Sequence, residues 1–135
     1  MRNFLDTNIL IYADACDELK KQEQAIEIIR ENIINKSGVI STQVLKEFAN
    51  VALRKLGLSP EIVKQRIEFF LNFEIIEISP EIIMQAIDLS SNRKVSFYDA
   101  LIIETAIISS CETILSEDLQ SGAIFNAVRV VNPFE

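Results

Sequence analysis

Apolar positions recur along this chain in two alternating rhythms. Short, nearly continuous runs of apolar or β-branched residues occur at Asn3-Phe4-Leu5, Val39-Ile40-Ser41, Phe73 to Ile78, Thr113-Ile114-Leu115-Ser116 and Val128 to Val131. Between them lie longer stretches in which apolar residues return every three or four positions. The first rhythm predicts short strands and the second predicts amphipathic helices. Glu18 to Asn35 has Ala25, Ile26, Ile28, Ile29 and Ile33 on such a stripe, ended by Ser37-Gly38. Thr42 is positioned to cap a helix running to about Leu56, which Gly57 closes. Ser59-Pro60-Glu61 and Ser79-Pro80-Glu81 repeat one helix-start phrase: a serine cap, proline at the first helical position and an acid in the first turn. The second of these helices should run through Ser90, and Ser96 should open a last one. Asp6-Thr7-Asn8 reads as a turn into the apolar Ile9-Leu10-Ile11-Tyr12.

Strands too apolar for a solvated face, alternating with helices, predict an α/β fold: a parallel sheet of about five strands with helices on both faces. In such sheets the binding crevice lies outside the carboxyl ends of the strands. Asp6 and Asp118 fall at such ends, Asp99 in the first turn of its helix, and Glu47 about one turn into another, so all four carboxylates can reach that edge.

At 135 residues, 49% apolar and 24% charged, the chain has the size and composition of one globular domain, taken as residues 1–135. The acid at Asp6 interrupts the first apolar stretch, which leaves no signal-peptide core or membrane span there and predicts a cytoplasmic location. Cys16 and Cys111 lack C-x-x-C spacing and read as reduced thiols. The net charge of −7 predicts weak non-specific binding to nucleic acid. It does not exclude nuclease activity, because several of the negative charges belong to the four clustered acids, where a divalent ion would invert the local field.

The chain contains no histidine. This removes Ser-His-Asp and Cys-His catalysis and most zinc chemistry, leaving hard-cation chemistry in which carboxylate oxygens hold Mg²⁺ or Mn²⁺. Each acid alone has a plainer role: Asp6 as a cap, Asp99 as a capping-box acid, Asp118 as a turn former, Glu47 as a solvated helix residue. Gathered together, like charges repel unless a cation sits among them. Thr7, Asn8 and Ser116 are polar neighbours able to orient a carboxylate or to satisfy turn backbone, and Glu117 reads as exposed. Glu104, in a helix apolar nearly all round, calls for either a supporting role at the site or a buried hydrogen bond. Lys46, Arg54, Lys55, Arg93 and Lys94 are candidate phosphate contacts or simply solvated helix faces.

Four phrases carry a resemblance: Phe4-Leu5-Asp6-Thr7-Asn8-Ile9-Leu10, Ser41-Thr42-Gln43-Val44-Leu45-Lys46-Glu47-Phe48, Ser96-Phe97-Tyr98-Asp99-Ala100-Leu101-Ile102 and Ile114-Leu115-Ser116-Glu117-Asp118-Leu119. Together, in this order and spacing, they resemble the four acidic motifs of PIN-domain nucleases, in particular the VapC toxins of toxin-antitoxin pairs. The resemblance spans essentially the whole chain. It implies a three-layer sandwich and a Mg²⁺- or Mn²⁺-dependent endoribonuclease, with Asp6, Glu47, Asp99 and Asp118 binding metal and Thr7 or Ser116 assisting. It also implies a homodimer held inactive by an antitoxin; the apolar helices Ala25 to Ile33 and Ile62 to Leu71 either offer a groove for it or simply pack the core. Two other readings compete. A phosphotransferase of the haloacid-dehalogenase type would need a second acid where Asn8 stands, and a receiver domain would need an acidic pair and a late lysine. A non-catalytic PIN-like scaffold would have no need of all four acids.

Overall fold

The computed structural model describes residues 1–135. Six strands form one sheet: β1 (Asn3–Leu5), β2 (Gly38–Ser41), β3 (Glu74–Ile76), β4 (Thr113–Leu115), β5 (Ile124–Phe125) and β6 (Val128–Val131). Six helices connect them: α1 (Thr7–Tyr12), α2 (Leu19–Ile34), α3 (Thr42–Arg54), α4 (Pro60–Phe70), α5 (Pro80–Arg93) and α6 (Phe97–Ile108). The spatial order is β3-β2-β1-β4-β6-β5, parallel except for the β5–β6 pair.

This order and the right hand of parallel crossovers fix which face each helix covers. The chain steps from β1 to β2 to β3 in one direction, then returns across the sheet to place β4 on the other side of β1. Right-handed crossovers in opposite directions put their helices on opposite faces. The helices segregate accordingly: α1 packs on α2 and α3, α3 packs on α4, and α5 packs on α6. The expected three-layer α/β sandwich is thus present. The order reverses at β1, flanked by β2 and β4, and a crevice opens beyond its carboxyl end.

Phe4, Leu5, Val39, Ile40 and Ile114 are fully buried in the sheet, and Ile9, Leu10, Val44, Phe48 and Ile103 close over it. Gly38 allows the tightest approach. A Cβ there would lie 2.5 Å from Phe73 Cδ1 and 2.6 Å from Cε1, and Phe73 is itself buried and stacked against Phe70. Gly38→Ala is therefore expected to lower unfolding stability by about 1–3 kcal/mol through overpacking, measured by urea denaturation. An unchanged midpoint would mean that the ring moves aside freely.

Several helix starts are as the sequence predicts. Ser59, Ser79 and Ser96 each accept a hydrogen bond from the amide three residues on, and proline follows the first two. Ser41, not Thr42, caps α3, its hydroxyl accepting from Val44 N at 3.3 Å. Thr42 is the first helical residue, and its hydroxyl accepts from Ile78 N at 3.3 Å. Gly38 does not terminate α2 but begins β2. The sixth strand, β5, was not anticipated: Asn126, at φ 55, turns the chain so that Phe125 pairs with Val128.

Candidate active site

Asp6 stands at the switch point, directly after β1. Its carboxylate caps α1 by accepting from Thr7 N at 2.7 Å, while Oδ2 accepts from Ser116 Oγ, just beyond β4, at 2.7 Å. Only 4% of the residue is exposed. Burial raises its pKa to about 6; the Ser116 and Thr7 hydrogen bonds pull the other way, and the charges of Asp118 and Glu47 add to the rise.

Three further carboxylates face the same space. Glu47 on α3 accepts from Thr7 Oγ1 at 2.6 Å and, more weakly, from Gln43 Nε2 at 3.4 Å. Asp118 accepts from Asn8 Nδ2 at 3.0 Å. Asp99 sits in the first turn of α6, its amide donating to Ser96 Oγ at 3.1 Å. Together with Asp6, Thr7, Asn8, Tyr12, Gln43, Asn50, Lys55 and Glu117 they line an open cavity of about 480 Å³. Segments separated by tens of residues thus deliver all four predicted acids to one place.

They do not, however, form a closed shell: no three acidic side chains gather tightly enough to hold one ion between them. Their present partners explain the spacing, since Thr7 holds Glu47, Ser116 holds Asp6 and Asn8 holds Asp118. An open arrangement still fits a small hard cation. Mg²⁺ keeps several waters and takes only one or two protein carboxylates. Gln43 adds a buried acceptor, Oε1, that has no hydrogen-bond partner, while its Nε2 donates to Tyr98 O at 3.1 Å.

Of the supporting residues, Thr7, Asn8 and Ser116 all touch the acids. Ser116 is fully buried and also accepts from the amides of Asp118 and Leu119 at 3.1 and 3.2 Å. Glu104 is placed elsewhere, beside a separate pocket lined by Glu81, Gln85 and Asn126. Five residues along a helix rotate a side chain by about 140° from the face of Asp99, which separates the two. Partial burial raises the Glu104 pKa, and no hydrogen bond offsets it. Glu117, expected to be exposed, is only partly so, because Tyr12 and Lys21 bind its two oxygens. Lys55 reaches the cavity as its one basic lining residue; Lys46, Arg54, Arg93 and Lys94 do not line it. Local pattern does not mark Gln43, Asn50 or Tyr12 as site residues, although Gln43 and Asn50 sit about one helical turn either side of Glu47 on the same face.

The family model of the PIN domain matches residues 4–125. The chain belongs to the PIN-domain family. This is a family of nucleases, and solved PIN-domain structures resemble the chain over nearly its full length. A toxin-antitoxin complex from Klebsiella pneumoniae is 25% identical, with a TM-score of 0.69 and 98% of each chain covered. VapBC2 from Rickettsia felis, solved bound to a promoter DNA fragment, is 22% identical with a TM-score of 0.70, covering 96% of this chain and 97% of that one. VapC20 from Mycobacterium tuberculosis, described as a sarcin-ricin loop cleaving toxin, is 15% identical with a TM-score of 0.68, covering 86% and 89%. The last two likenesses are of fold. No curated protein matches the chain in sequence. No helix of this PIN domain is long and apolar enough to cross a membrane.

Proposed function

We propose that this PIN domain is a Mg²⁺- or Mn²⁺-dependent endoribonuclease and the toxin of a toxin-antitoxin pair. The observation that carries the reading is the delivery of Asp6, Glu47, Asp99 and Asp118, from four separate segments, to one cavity at the switch point of the sheet. Oxygen donors without histidine suit a hard cation, and PIN nucleases in general use divalent metals. The ion would sit among Asp6, Glu47, Asp99 and Asp118, the four carboxylates that line the cavity and pair with no basic side chain.

When bound, the metal supplies charge neutralisation for the phosphodiester and lowers the pKa of a water for attack. The chain does the rest by positioning. Ser116 and the Thr7 amide hold the Asp6 carboxylate in place, Thr7 Oγ1 aims Glu47, and Asn8 aims Asp118. Lys55 at the rim is suited to a substrate phosphate.

The antitoxin reading is supported by a second cavity of about 530 Å³ between α2 and α4, lined by Ile26, Ile33, Ile34 and Phe69 with Arg30 and Arg66 at its edge. Ile34 is 70% exposed and Phe69 50%, so apolar side chains stand open to a partner at this cavity. Exposed Ile83, Met84 and Ile87 on α5 support pairing of two copies. A toxin of this kind works in the cytoplasm.

The test is cleavage of a mixed-sequence structured RNA, with DNA of the same sequence alongside, in Mg²⁺ or Mn²⁺ and in EDTA. Cutting that requires the metal and drops at least about 100-fold in Asp99→Asn is expected, a direct participant mattering more than a supporting one. Inert protein with either ion, and no divalent binding by calorimetry, would overturn the reading in favour of a scaffold.

A further inference from the structure

The loop that follows β4 is fastened from a direction the acidic cavity does not require. Glu117 Oε1 accepts from the Tyr12 hydroxyl at 2.5 Å, and Oε2 accepts from Lys21 Nζ at 2.6 Å. Lys21 also donates to the Tyr12 hydroxyl oxygen at 3.3 Å and lies 5.0 Å from the Tyr12 ring centre and 5.8 Å from that of Phe134. The Phe134 ring meets the Tyr12 ring edge-on at 5.1 Å. The end of α1, the first turn of α2 and the loop after β4 therefore meet at one carboxylate, with Phe134 of the C-terminal segment packed against the Tyr12 ring beside it.

That carboxylate belongs to the residue before Asp118. Asp118 is exposed, and its side chain has one protein partner, Asn8, whose own amide oxygen accepts from Glu117 N at 3.3 Å. Glu117 also lines the cavity, but Lys21 neutralises its charge, so it attracts a cation less than the four acids that pair with no basic side chain. What it does instead is anchor the backbone one residue from Asp118.

We propose that Lys21 and Tyr12 are positioning residues for the acidic cavity, acting through Glu117 to fix the loop that presents Asp118. The role assigned to Asp118 rests on the nuclease reading; the fixing of the loop does not. A partly exposed ion pair contributes little to global stability. Its loss is therefore read in local order and in metal affinity rather than in unfolding.

Charge and position predict opposite signs. If Lys21 acted only as a nearby positive charge, its removal would relieve repulsion of a cation and tighten metal binding. If it positions the loop, removal weakens binding. The experiment measures Mn²⁺ affinity by calorimetry, amide hydrogen exchange at Asp118 and Leu119 without metal, and RNA cleavage, in wild type, Lys21→Met, Lys21→Arg and Tyr12→Phe. Lys20→Met, an exposed neighbour of the same charge, is the control. Expected for Lys21→Met are Mn²⁺ binding about 10-fold weaker, faster exchange at both amides, cleavage recovered by added Mn²⁺, and an unchanged unfolding midpoint. Lys21→Arg should restore most of the affinity, and Lys20→Met should leave all three readouts in place. Unchanged exchange with unchanged or tighter Mn²⁺ binding in Lys21→Met overturns the proposal, while wild-type cleavage in the same series keeps the nuclease reading. Wild type that neither binds Mn²⁺ nor cuts defeats the nuclease reading instead, and exchange at Asp118 and Leu119 then decides whether the clamp exists.

Discussion

Asp6→Asn is expected to lower cleavage at least about 100-fold while removing a pH-dependent penalty from the stability of the metal-free protein. The two effects share a cause. A carboxyl whose folded pKa lies above its unfolded value carries no penalty below pH 3.8, where both states are protonated. The penalty grows as pH rises from 3.8 and is complete above about 6, because only the unfolded chain ionises freely in that window. A shift of that size corresponds to about 3 kcal/mol, which the neutral amide avoids. Urea denaturation below and above the window measures it. The variant should gain on wild type as pH rises and hold that gain beyond pH 6. Saturating Mn²⁺ should reverse the gain, since only wild type keeps the ligand that links metal binding to folding. A stability difference flat with pH would mean that Asp6 is as well solvated folded as unfolded.

Ser116→Ala attacks the same carboxylate from its support. One hydroxyl donates to Asp6 and accepts from the amides of Asp118 and Leu119, with no exposure to water. Its loss leaves three groups short of a partner, one of them a buried acid, and is expected to lower stability by about 2–4 kcal/mol. The Asp6 pKa should climb further, because the Ser116 bond is what holds it down most. Carbon-detected titration of the carboxyl, alongside denaturation, checks both. A loss no larger than a surface serine costs would mean that water replaces the hydroxyl.

The sequence and the structure agree where local chemistry decides. Ser59-Pro60 and Ser79-Pro80 open helices because cap and proline act within a single turn. The four acids were legible because each sits at a fixed offset from a strand end or a helix start. Missed features depend on distant partners or very short segments. Six residues after Asp6 form a helix, too few to show a period, and their start is fixed by the Asp6 cap. β5 has two residues and exists only because β6 is beside it. Glu117 reads as an exposed acid until α1 and α2 bring Tyr12 and Lys21 from about a hundred positions away. Glu104 was drawn toward the site by its apolar surroundings, whereas helical rotation sends it to another pocket. Nothing in the local pattern sets the strand order, which follows from crossovers spanning the chain.

The two ends of the sheet bear on assembly. On one side β5 turns antiparallel against β6 and is only two residues long. On the other, β3 has three residues, with Glu74 locked to Arg2 and Glu77 exposed beside it. Neither offers a run of free backbone amides and carbonyls long enough to template a strand from another molecule. Edges this short and charged disfavour joining copies of the chain by extending the sheet. The strand framework that carries the acids is therefore closed off at both of its edges.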